Sequence, residues 1–192
     1  LKPNDFTYGS NKKMWWKCGI CEQGWEAKIT DRALSESGCP YCTNQKAYKG
    51  NCLATTCPEL CKEWGTKNES LTPYNVVAGS DKKVWWKCEI CKQEWEARIK
   101  NRVRLGHGCP YCINRKAYED NCLSITHPEL CKEWSPKNNL TPDVVVAGSG
   151  KRILWECKTC EQEWEAVIAK RTLSESGCPY CTGKKAYIGN CL

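Results

Sequence analysis

Short stretches of alternating apolar and polar residues recur at regular intervals along the chain. The stretch 14–18 alternates in this way, and in 25–29 Trp25, Ala27 and Ile29 alternate with charged residues. A period of two is typical of a strand with one buried face, so the two stretches predict a β-hairpin. The same pair of stretches recurs twice more, at 84–88 with 95–99 and at 153–157 with 164–168.

A different pattern occupies the segments between the hairpins. There Leu60 and Trp64 have helical spacing, and Thr56 precedes Glu59 by three residues, as in a capping box with Thr56 as the N-cap. The pattern returns at 126–134. We expect each segment to form a short capped helix that packs on the neighbouring module. The short basic stretch after Cys42 is expected to form one or two helical turns.

These elements belong to a tandem repeat of about 70 residues. WWKCGICEQGWEAKI, WWKCEICKQEWEARI and LWECKTCEQEWEAVI align without a gap, and GCPYC follows each of them. The repeat predicts three small modules joined by two linkers, each linker with a short helix. The modules are 1–51, 71–121 and 140–192, and the linkers are 52–70 and 122–139. The first and last residues fall inside the repeat, so we expect a longer parent protein.

Twelve of the 18 cysteines form one pattern, C-x2-C, seventeen residues, C-x2-C, written three times. Two C-x2-C turns supply four sulfurs for tetrahedral Zn²⁺, and an unchanged gap in all copies predicts three structural tetracysteine zinc sites. The predicted ligands are Cys18, Cys21, Cys39 and Cys42; Cys88, Cys91, Cys109 and Cys112; and Cys157, Cys160, Cys178 and Cys181.

So many cysteines would also suit a secreted disulfide framework. Disulfide frameworks rarely repeat C-x2-C pairs at a fixed separation, whereas zinc modules do so routinely, and zinc is therefore favoured. Thiolate ligands imply a reducing intracellular compartment (cytosol, nucleus or organelle matrix) or a virion, and a protein that is not secreted. The longest aliphatic run is 144–147, so no membrane partner is expected.

The formal net charge of +7 counts every cysteine as neutral. A zinc ion with four thiolates carries two negative charges, so three such sites lower the total to about +1. Total charge therefore does not argue for a nucleic-acid partner, and that hypothesis depends on where the cations lie.

One basic set recurs in every module and predicts contacts with a DNA or RNA backbone. Its members are Lys12, Lys13, Arg32 and Lys46; Lys82, Lys83, Arg102 and Lys116; and Lys151, Arg152, Arg171 and Lys185. The alternative is ordinary solvated charge, with the arginines bonded to a carbonyl or shielding the negative zinc site.

The run P-E-L-x-K-E-W, then L-T-P, G-S-x-K-K-x-W-W-K-C-x2-C, W-E-A, an arginine and G-C-P-Y-C resembles a family of tandem "probable zinc-ribbon" repeats, also described as treble-clef zinc fingers. The resemblance covers essentially the whole chain. It implies small α+β modules, each a β-hairpin knuckle with a short helix. Similar repeats occur in bacteria, algae and large DNA viruses, some beside a restriction-endonuclease-like domain, which implies work on nucleic acids. Many members have Gly-His after the first C-x2-C, whereas this chain has Glu22-Gln23, Lys92-Gln93 and Glu161-Gln162.

Six further cysteines lie outside the three sets. Two groups have similar spacing and are candidates for an extra metal, namely Cys52, Cys57 and Cys61, and Cys122, His127 and Cys131; Cys191 is the sixth cysteine. Each group offers three ligands and lacks a fourth, so packed thiols are the favoured interpretation, since free cysteine is among the most buried residue types. A disulfide between some of them is the third alternative in an oxidising compartment.

Catalysis finds little support in the sequence. The chain has two histidines, no phosphate-binding loop and no nucleophile with a partner base, and four cysteines leave a zinc ion no open position for water. We therefore expect a non-enzymatic zinc-binding repeat protein without a small-molecule substrate, associated with nucleic acid. The alternative is a scaffold or cement module that binds proteins of a larger assembly, such as a viral capsid or a ribonucleoprotein.

Overall fold

The structure is a computed structural model that describes residues 3–35, 37–174 and 176–189. The strands are β1 (Lys13–Lys17), β2 (Gly24–Lys28), β3 (Lys83–Lys87), β4 (Glu94–Arg98), β5 (Arg152–Glu156) and β6 (Glu163–Val167). The helices are α1 (Ile29–Ala33), α2 (Leu53–Thr56), α3 (Pro58–Cys61), α4 (Ile99–Arg104), α5 (Leu123–Thr126), α6 (Pro128–Cys131) and α7 (Ile168–Leu173). Single 3-10 turns span Pro3–Asp5, Thr66–Asn68 and Pro142–Val144.

The chain divides into two compact units, Leu1–His107 and Gly108–Leu192. The first unit holds β1 to β4 and the second holds β5 and β6. None of the described helices has the length and apolar character needed to cross a membrane. The boundaries of the three modules and two linkers stay a prediction, and the module names are kept below as labels.

The three predicted hairpins are confirmed. Each is an antiparallel pair in the same register, with a tryptophan opposite a tryptophan: Trp16 opposite Trp25, Trp86 opposite Trp95 and Trp155 opposite Trp164. Such cross-strand aromatic pairs stabilise a two-stranded sheet that would be marginal alone. The indole N–H of the first tryptophan in each pair donates to a backbone oxygen of the partner strand, that of Ala27, Ala97 or Ala166.

A short helix follows each hairpin directly, as α1, α4 and α7 do. The helical turns expected after Cys42 are absent from the described segment 43–49, which forms hydrogen-bonded turns instead. The amides of Gln45 and Lys46 both donate to the carbonyl of Pro40 there. The helical prediction for that stretch was wrong because compact turns around Pro40 and Asn44, whose φ is 57°, use the backbone groups that a helix needs.

The linkers contain two single-turn helices each, and the predicted capping box was wrong. The hydroxyl of Thr56 donates to the carbonyl of Cys52, which closes α2. Helix α3 begins after Cys57, and no side chain caps its N-terminus. Trp64 lies beyond the helix, so its contacts do not come from a helical face.

Linker 52–70 instead adds a third strand to the hairpin of module 2. The amide of Lys87 donates to the carbonyl of Glu63 at 2.7 Å, and the amide of Gly65 donates to the carbonyl of Trp85 at 2.9 Å. A bridge pairs Trp64 with Trp86. The outward-facing edge of β3, which a lone hairpin would expose, is therefore covered.

The second linker repeats this arrangement on module 3. The amide of Glu156 donates to the carbonyl of Glu133 at 2.7 Å, and a bridge pairs Trp134 with Trp155. The two indoles meet edge to face with 5.6 Å between their ring centroids. Because both linkers dock in the same way, edge covering is a property of the repeat.

Close approach of the linker to β3 requires a small residue at position 65. A Cβ added to Gly65 would lie 2.7 Å from the carbonyl oxygen of Trp85. Module 3 has Ser135 at the corresponding position, and there the amide of Ser135 lies 3.3 Å from the carbonyl oxygen of Leu154, against 2.9 Å for Gly65. The extra atom is thus accommodated by a slightly wider strand separation.

The linker also completes the core of the module that follows it. In module 3 eight buried residues form one cluster: Leu123, Val145, Ile153, Trp155, Cys157, Trp164, Ile168 and Cys178. Leu123 comes from the linker, and Leu130, Cys131 and Trp134 of the same linker pack against the cluster. A module of this size gains a contiguous core only through such contacts.

Replacing Asn68 with alanine is expected to loosen the linker from β3. Its side-chain amide donates to the carbonyls of Gly65 and Trp85, and its oxygen accepts from the amide of Trp85 at 2.7 Å. Loss of these bonds should cost about 2 kcal/mol. Hydrogen exchange at the amides of Trp85 and Lys87 should accelerate. Asn75→Ala, which removes an exposed turn residue, is the control; unchanged protection in Asn68→Ala would contradict the role of this side chain.

Candidate metal centres

The first and last cysteine pairs of module 1 meet in space as the spacing predicts. The four sulfurs of Cys18, Cys21, Cys39 and Cys42 lie within 4.8 Å of one another. Two of the separations, Cys18 to Cys42 and Cys21 to Cys39, are 3.6 Å. A zinc ion with Zn–S bonds of about 2.3 Å needs sulfurs about 3.8 Å apart in a tetrahedron, so the sulfurs fit Zn²⁺.

Modules 2 and 3 contain the same groups, within the same 4.8 Å limit: Cys88, Cys91, Cys109 and Cys112, and Cys157, Cys160, Cys178 and Cys181. In module 3 the separations between Cys157 and Cys181 and between Cys160 and Cys178 are again 3.6 Å. The three sets fit three structural zinc ions.

Each site is formed by the tip of a hairpin and by the turn of G-C-P-Y-C. At the tip of hairpin β1–β2 the amide of Cys18 donates to the carbonyl of Gln23, and Glu22 adopts a left-handed φ of 60°. Lys92 and Glu161 adopt the same conformation at the other two tips. A positive φ favours glycine, which is the residue that many members of the resembled family carry there.

An asparagine fixes the second turn of the sites in modules 1 and 2. The side-chain amide of Asn51 donates to the carbonyls of Tyr41 and Lys46, and its oxygen accepts from the amide of Tyr48. Asn121 makes the matching bonds in module 2. This role gives a structural reason for the asparagine at the corresponding positions 51 and 121 of the repeat.

Electrostatics around the sulfurs also favour a bound cation. The amides of Cys21 and Ile20 donate to the sulfur of Cys18 and lower the pKa of its thiol to about 6. Hydrogen bonds from the sulfur of Cys42 to those of Cys21 and Cys18 raise the pKa of Cys42 to about 12. Four thiols this close cannot all ionise by themselves, and a divalent cation is what allows them to do so.

In module 3 the pKa values of the equivalent thiols are shifted in the same directions. Burial opposes ionisation of Cys157, but the amides of Cys160 and Thr159 donate to its sulfur and lower its pKa to about 6. Hydrogen bonds to the sulfurs of Cys160 and Cys157 raise the pKa of Cys181 to about 12. Equivalent sulfurs thus have equivalent environments in two modules.

A buried arginine lies beside the hairpin in modules 2 and 3. The guanidinium of Arg102 lies between the rings of Trp86 and Trp95, 5.0 and 5.2 Å from their centroids. It donates to the carboxylate of Glu63 and to the carbonyl of His107. The carboxylate comes from the linker, so this side chain joins the linker to the module.

Arg171 has the same surroundings in module 3. It lies between Trp155 and Trp164 and donates to the carboxylate of Glu133. The side chains of Arg102 and Arg171 are each 5% exposed. Such side chains have no surface to offer a phosphate, so these two predicted nucleic-acid contacts are corrected to structural residues. Their partners are Glu63 and Glu133, the glutamates of K-E-W, to which the sequence alone assigned no role.

The nine lysines and arginines of the predicted basic set other than Arg32, Arg102 and Arg171 are exposed. Two of them are in exposed ion pairs, Lys13 with Glu26 at 3.8 Å and Lys83 with Glu96 at 3.6 Å. Such pairs contribute little to stability. Lys116 lies over the ring of Tyr111, 5.9 Å from its centroid.

The candidate extra metal ligands are not brought together. Within 3–35, 37–174 and 176–189, the groups of three or more ligand atoms within 4.8 Å are the three tetracysteine sets. Four of the remaining thiols contact oxygen atoms instead. Cys52 contacts an oxygen of Lys49 and of Thr55, Cys61 that of Cys57, Cys122 those of Glu119 and Ser124, and Cys131 that of His127. Burial raises the pKa of Cys61 and of Cys131, which favours neutral thiols. Cys191 lies outside the described residues.

Comparison with known proteins agrees with this geometry. A family model described as "Probable Treble clef zinc finger domain" matches residues 1–45, 60–115 and 130–184. Each matched range contains one tetracysteine set. The chain is also similar to "Uncharacterized protein R635" of Acanthamoeba polyphaga mimivirus, with 25% identity over 162 residues. The aligned part covers 77% of this chain and 38% of the viral protein, so the chain spans well under half the length of that relative.

Proposed function

The chain belongs to the family of probable treble clef zinc finger domains, and on that premise we propose that it is a non-catalytic zinc-stabilised repeat that binds a nucleic-acid backbone through exposed lysines. Zinc folds each module, and the folded module presents cations at fixed positions. The same thiolate ligands support a reducing compartment or a virion, because they persist where cysteines stay reduced.

A passive role for the metal is supported by its ligand set. Four cysteine sulfurs fill the tetrahedral coordination of Zn²⁺ and leave no position for a water or a substrate. Family membership points the same way, since the matched domain is described as a zinc finger. The metal therefore acts on stability, and recognition falls to the protein surface.

The observation that carries the proposal is a basic cleft in the second unit. Lys116, which follows the second cysteine pair of module 2, and Lys151, which precedes the hairpin of module 3, line the same cleft. Arg115, Tyr111 and Ser149 also line it. The sequence predicts both lysines as phosphate contacts, but only the fold brings them to one surface.

The cleft suits a polyanion because its lining contains no negatively charged side chain that would repel phosphate. No aspartate or glutamate is among the residues that line it. Its three cations can contact successive phosphates, and the hydroxyl of Ser149 adds a neutral hydrogen-bonding group. Contacts of this kind position a backbone without reading its sequence, so we expect binding with little sequence preference.

Reversing the two lysine charges in the cleft tests the proposal. A plot of log affinity against log salt has a negative slope, and Lys116→Glu with Lys151→Glu should reduce the magnitude of that slope by about 2. Each lysine that no longer neutralises a phosphate reduces it by about 1. Fluorescence anisotropy with a duplex DNA and a single-stranded RNA, each at several salt concentrations, provides the measurement.

The matched control is Lys132→Glu with Lys170→Glu, two exposed lysines outside the cleft that give the same change in charge. Their slope should stay close to that of the unaltered chain. Equal slopes for both double variants would mean that the cleft makes no special contribution, and absence of salt-dependent binding in the unaltered chain would refute the proposal.

A role as an assembly module is the second candidate, and a repeated apolar feature favours it. At the end of the helix after the hairpin, Leu34 and Leu173 occupy corresponding positions in modules 1 and 3 and are 58% and 76% exposed; in module 2 Arg104 holds that position and Leu105, the next residue, is 62% exposed. Exposed apolar residues that recur with the repeat are typical of a protein-binding surface. Association through them would be insensitive to salt, which the same titration distinguishes from phosphate binding.

A further inference from the structure

The outer edge of the first hairpin differs from those of the other two. In β3 the backbone groups of Trp85 and Lys87 point away from β4, and linker 52–70 bonds to them. Strand β1 has the same register with β2, so the corresponding groups of Trp15 and Lys17 also point outward. Within the described ranges, no segment pairs with this edge of β1.

The tryptophans of β1 are more exposed than their counterparts in the other two hairpins. Trp15 is 77% exposed, whereas Trp85 and Leu154 at the corresponding positions are half-buried. Trp16 is half-buried, whereas its counterparts Trp86 and Trp155 are both 0% exposed. The indoles of Trp64 and Trp134 cover those counterparts.

The core of module 1 is correspondingly small. Its buried cluster consists of Cys18, Trp25 and Cys39, against eight residues in module 3. Leu123 of the module 3 cluster comes from the linker, and Leu130, Cys131 and Trp134 of the same linker pack against it, so the linker accounts for part of the difference.

The contacts of Arg32 are a third observation that indicates an uncovered site. Its guanidinium lies over Trp16 and Trp25, 5.3 and 5.4 Å from their centroids, and it donates to the carbonyl of Ser37. Arg102 and Arg171 make these contacts and also bond to a linker glutamate. In the part of the chain that the structure describes, no carboxylate forms an ion pair with Arg32.

We propose that the outer edge of β1, with Trp15, Trp16 and Arg32, is a docking site for an extended segment of the form Glu-Trp-Gly-x-x-Asn that lies outside residues 1–192. The chain itself shows the occupant twice, as Glu63 to Asn68 on module 2 and, with serine for glycine, as Glu133 to Asn138 on module 3.

Each specified residue of that peptide has a partner on module 1. The carboxylate of the glutamate meets Arg32, and the tryptophan covers Trp16. The glycine lets the backbone approach Trp15, and the asparagine takes the amide and carbonyl of Trp15. The peptide adds a strand to the hairpin, so its main chain supplies affinity and its side chains supply specificity.

The two linkers of the chain are already engaged elsewhere, so neither of them supplies this segment. Linker 52–70 lies on β3, and linker 122–139 lies on β5. One feature of the natural linkers has no counterpart on module 1. Lys67 pairs with Glu94 at 2.6 Å, whereas the residue opposite Lys17, in the place of Glu94, is Gly24. Lys67 also lies over the ring of Trp85, 4.8 Å from its centroid, and Trp15 holds the place of Trp85 on module 1. The lysine of the peptide should therefore lose its ion pair but keep its contact with an indole ring on module 1.

Titration of the zinc-loaded chain with a labelled synthetic peptide of residues 57–69 tests the proposal. We expect one peptide to bind per chain, and hydrogen exchange should slow in β1 and stay unchanged in β3 and β5. Glu63→Gln in the peptide should weaken binding by about 10-fold, since a charge-assisted bond is lost. Thr66→Ala in the peptide, at an exposed position that the motif leaves open, should have no effect.

The chain provides the matched variants. With Arg32→Met the peptides carrying glutamate and glutamine should bind equally. Lys17→Pro removes the outward amide that would bond to the peptide and should abolish binding, whereas Lys17→Ala should not. Zinc content measured by mass spectrometry verifies that each variant is folded.

Three results would overturn the proposal. They are failure of the peptide to bind the unaltered chain, protection of β3 or β5 in place of β1, and binding that Lys17→Pro leaves intact. A dimer of the chain that forms without peptide and is lost in Lys17→Pro would assign the edge to a second copy, and would overturn it as well. None of these results depends on nucleic-acid binding.

Discussion

Replacing Cys157 with serine is expected to unfold module 3 and to lower the zinc content of the chain from three ions to two. The sulfur of Cys157 lies 3.6 Å from that of Cys181, and the residue is 3% exposed within the buried cluster. Structural zinc contributes about 10–16 kcal/mol of apparent binding energy in small finger peptides, which exceeds the stability of an ordinary small domain. A module with so small a core cannot compensate for that loss.

Native mass spectrometry gives the zinc count directly, and hydrogen exchange across 152–173 reports the unfolding. Cys131→Ser is the matched control, because Cys131 packs against the same cluster but belongs to no tetracysteine set. It should retain three zinc ions. Loss of all three ions from Cys157→Ser would show that the modules do not fold independently, and retention of all three would contradict the assignment of Cys157 as a ligand.

Replacing Glu63 with glutamine is expected to destabilise the hairpin of module 2 by about 3 kcal/mol. The side chain of Arg102 is 5% exposed and lies between two tryptophan rings, so its charge depends on this carboxylate. A glutamine can accept one hydrogen bond from the guanidinium but cannot balance its charge. Hydrogen exchange should accelerate across 83–98, while 152–167 in the same molecule should be unchanged.

A second substitution separates lost charge balance from lost packing. Adding Arg102→Met to Glu63→Gln removes the unpaired guanidinium charge and leaves an apolar side chain against the rings of Trp86 and Trp95. Much of the lost stability should therefore return. The control is Glu96→Gln, which removes a 44% exposed carboxylate on the same hairpin, and it should have little effect. If Glu63→Gln and Glu96→Gln are equally mild, the buried ion pair does not hold the linker.

The zinc ligands and hairpins could be predicted because their signals are local. A C-x2-C pair specifies a turn whatever surrounds it, and a period of two specifies which residues share a strand face. The order Trp16, Cys18, Cys21, Trp25 therefore predicts a hairpin with a metal-binding tip, and β1 and β2 form there as an antiparallel pair. The short helix predicted after Cys42 was wrong because turn geometry there depends on Asn51, which lies several residues further along the chain.

The roles of the linkers and of the buried arginines could not be predicted from local sequence signals. Trp64 has the spacing of a helix face, but it contacts Trp86 as part of a strand added to β3. Arg102 recurs like a phosphate contact, yet its partner Glu63 lies 39 positions away along the chain. A recurring residue shows that a position matters to the repeat and does not show whether it faces solvent or the core.

The sequence by itself determined what binds the metal and where each hairpin forms, since coordination chemistry and strand period act over a few neighbouring residues. The tertiary structure alone decided which hairpin edge each linker covers, which cations are buried between tryptophans, and which lysines share a cleft. Those outcomes depend on contacts between segments far apart in the chain, where several apolar or charged partners satisfy the same sequence pattern and only packing selects one of them.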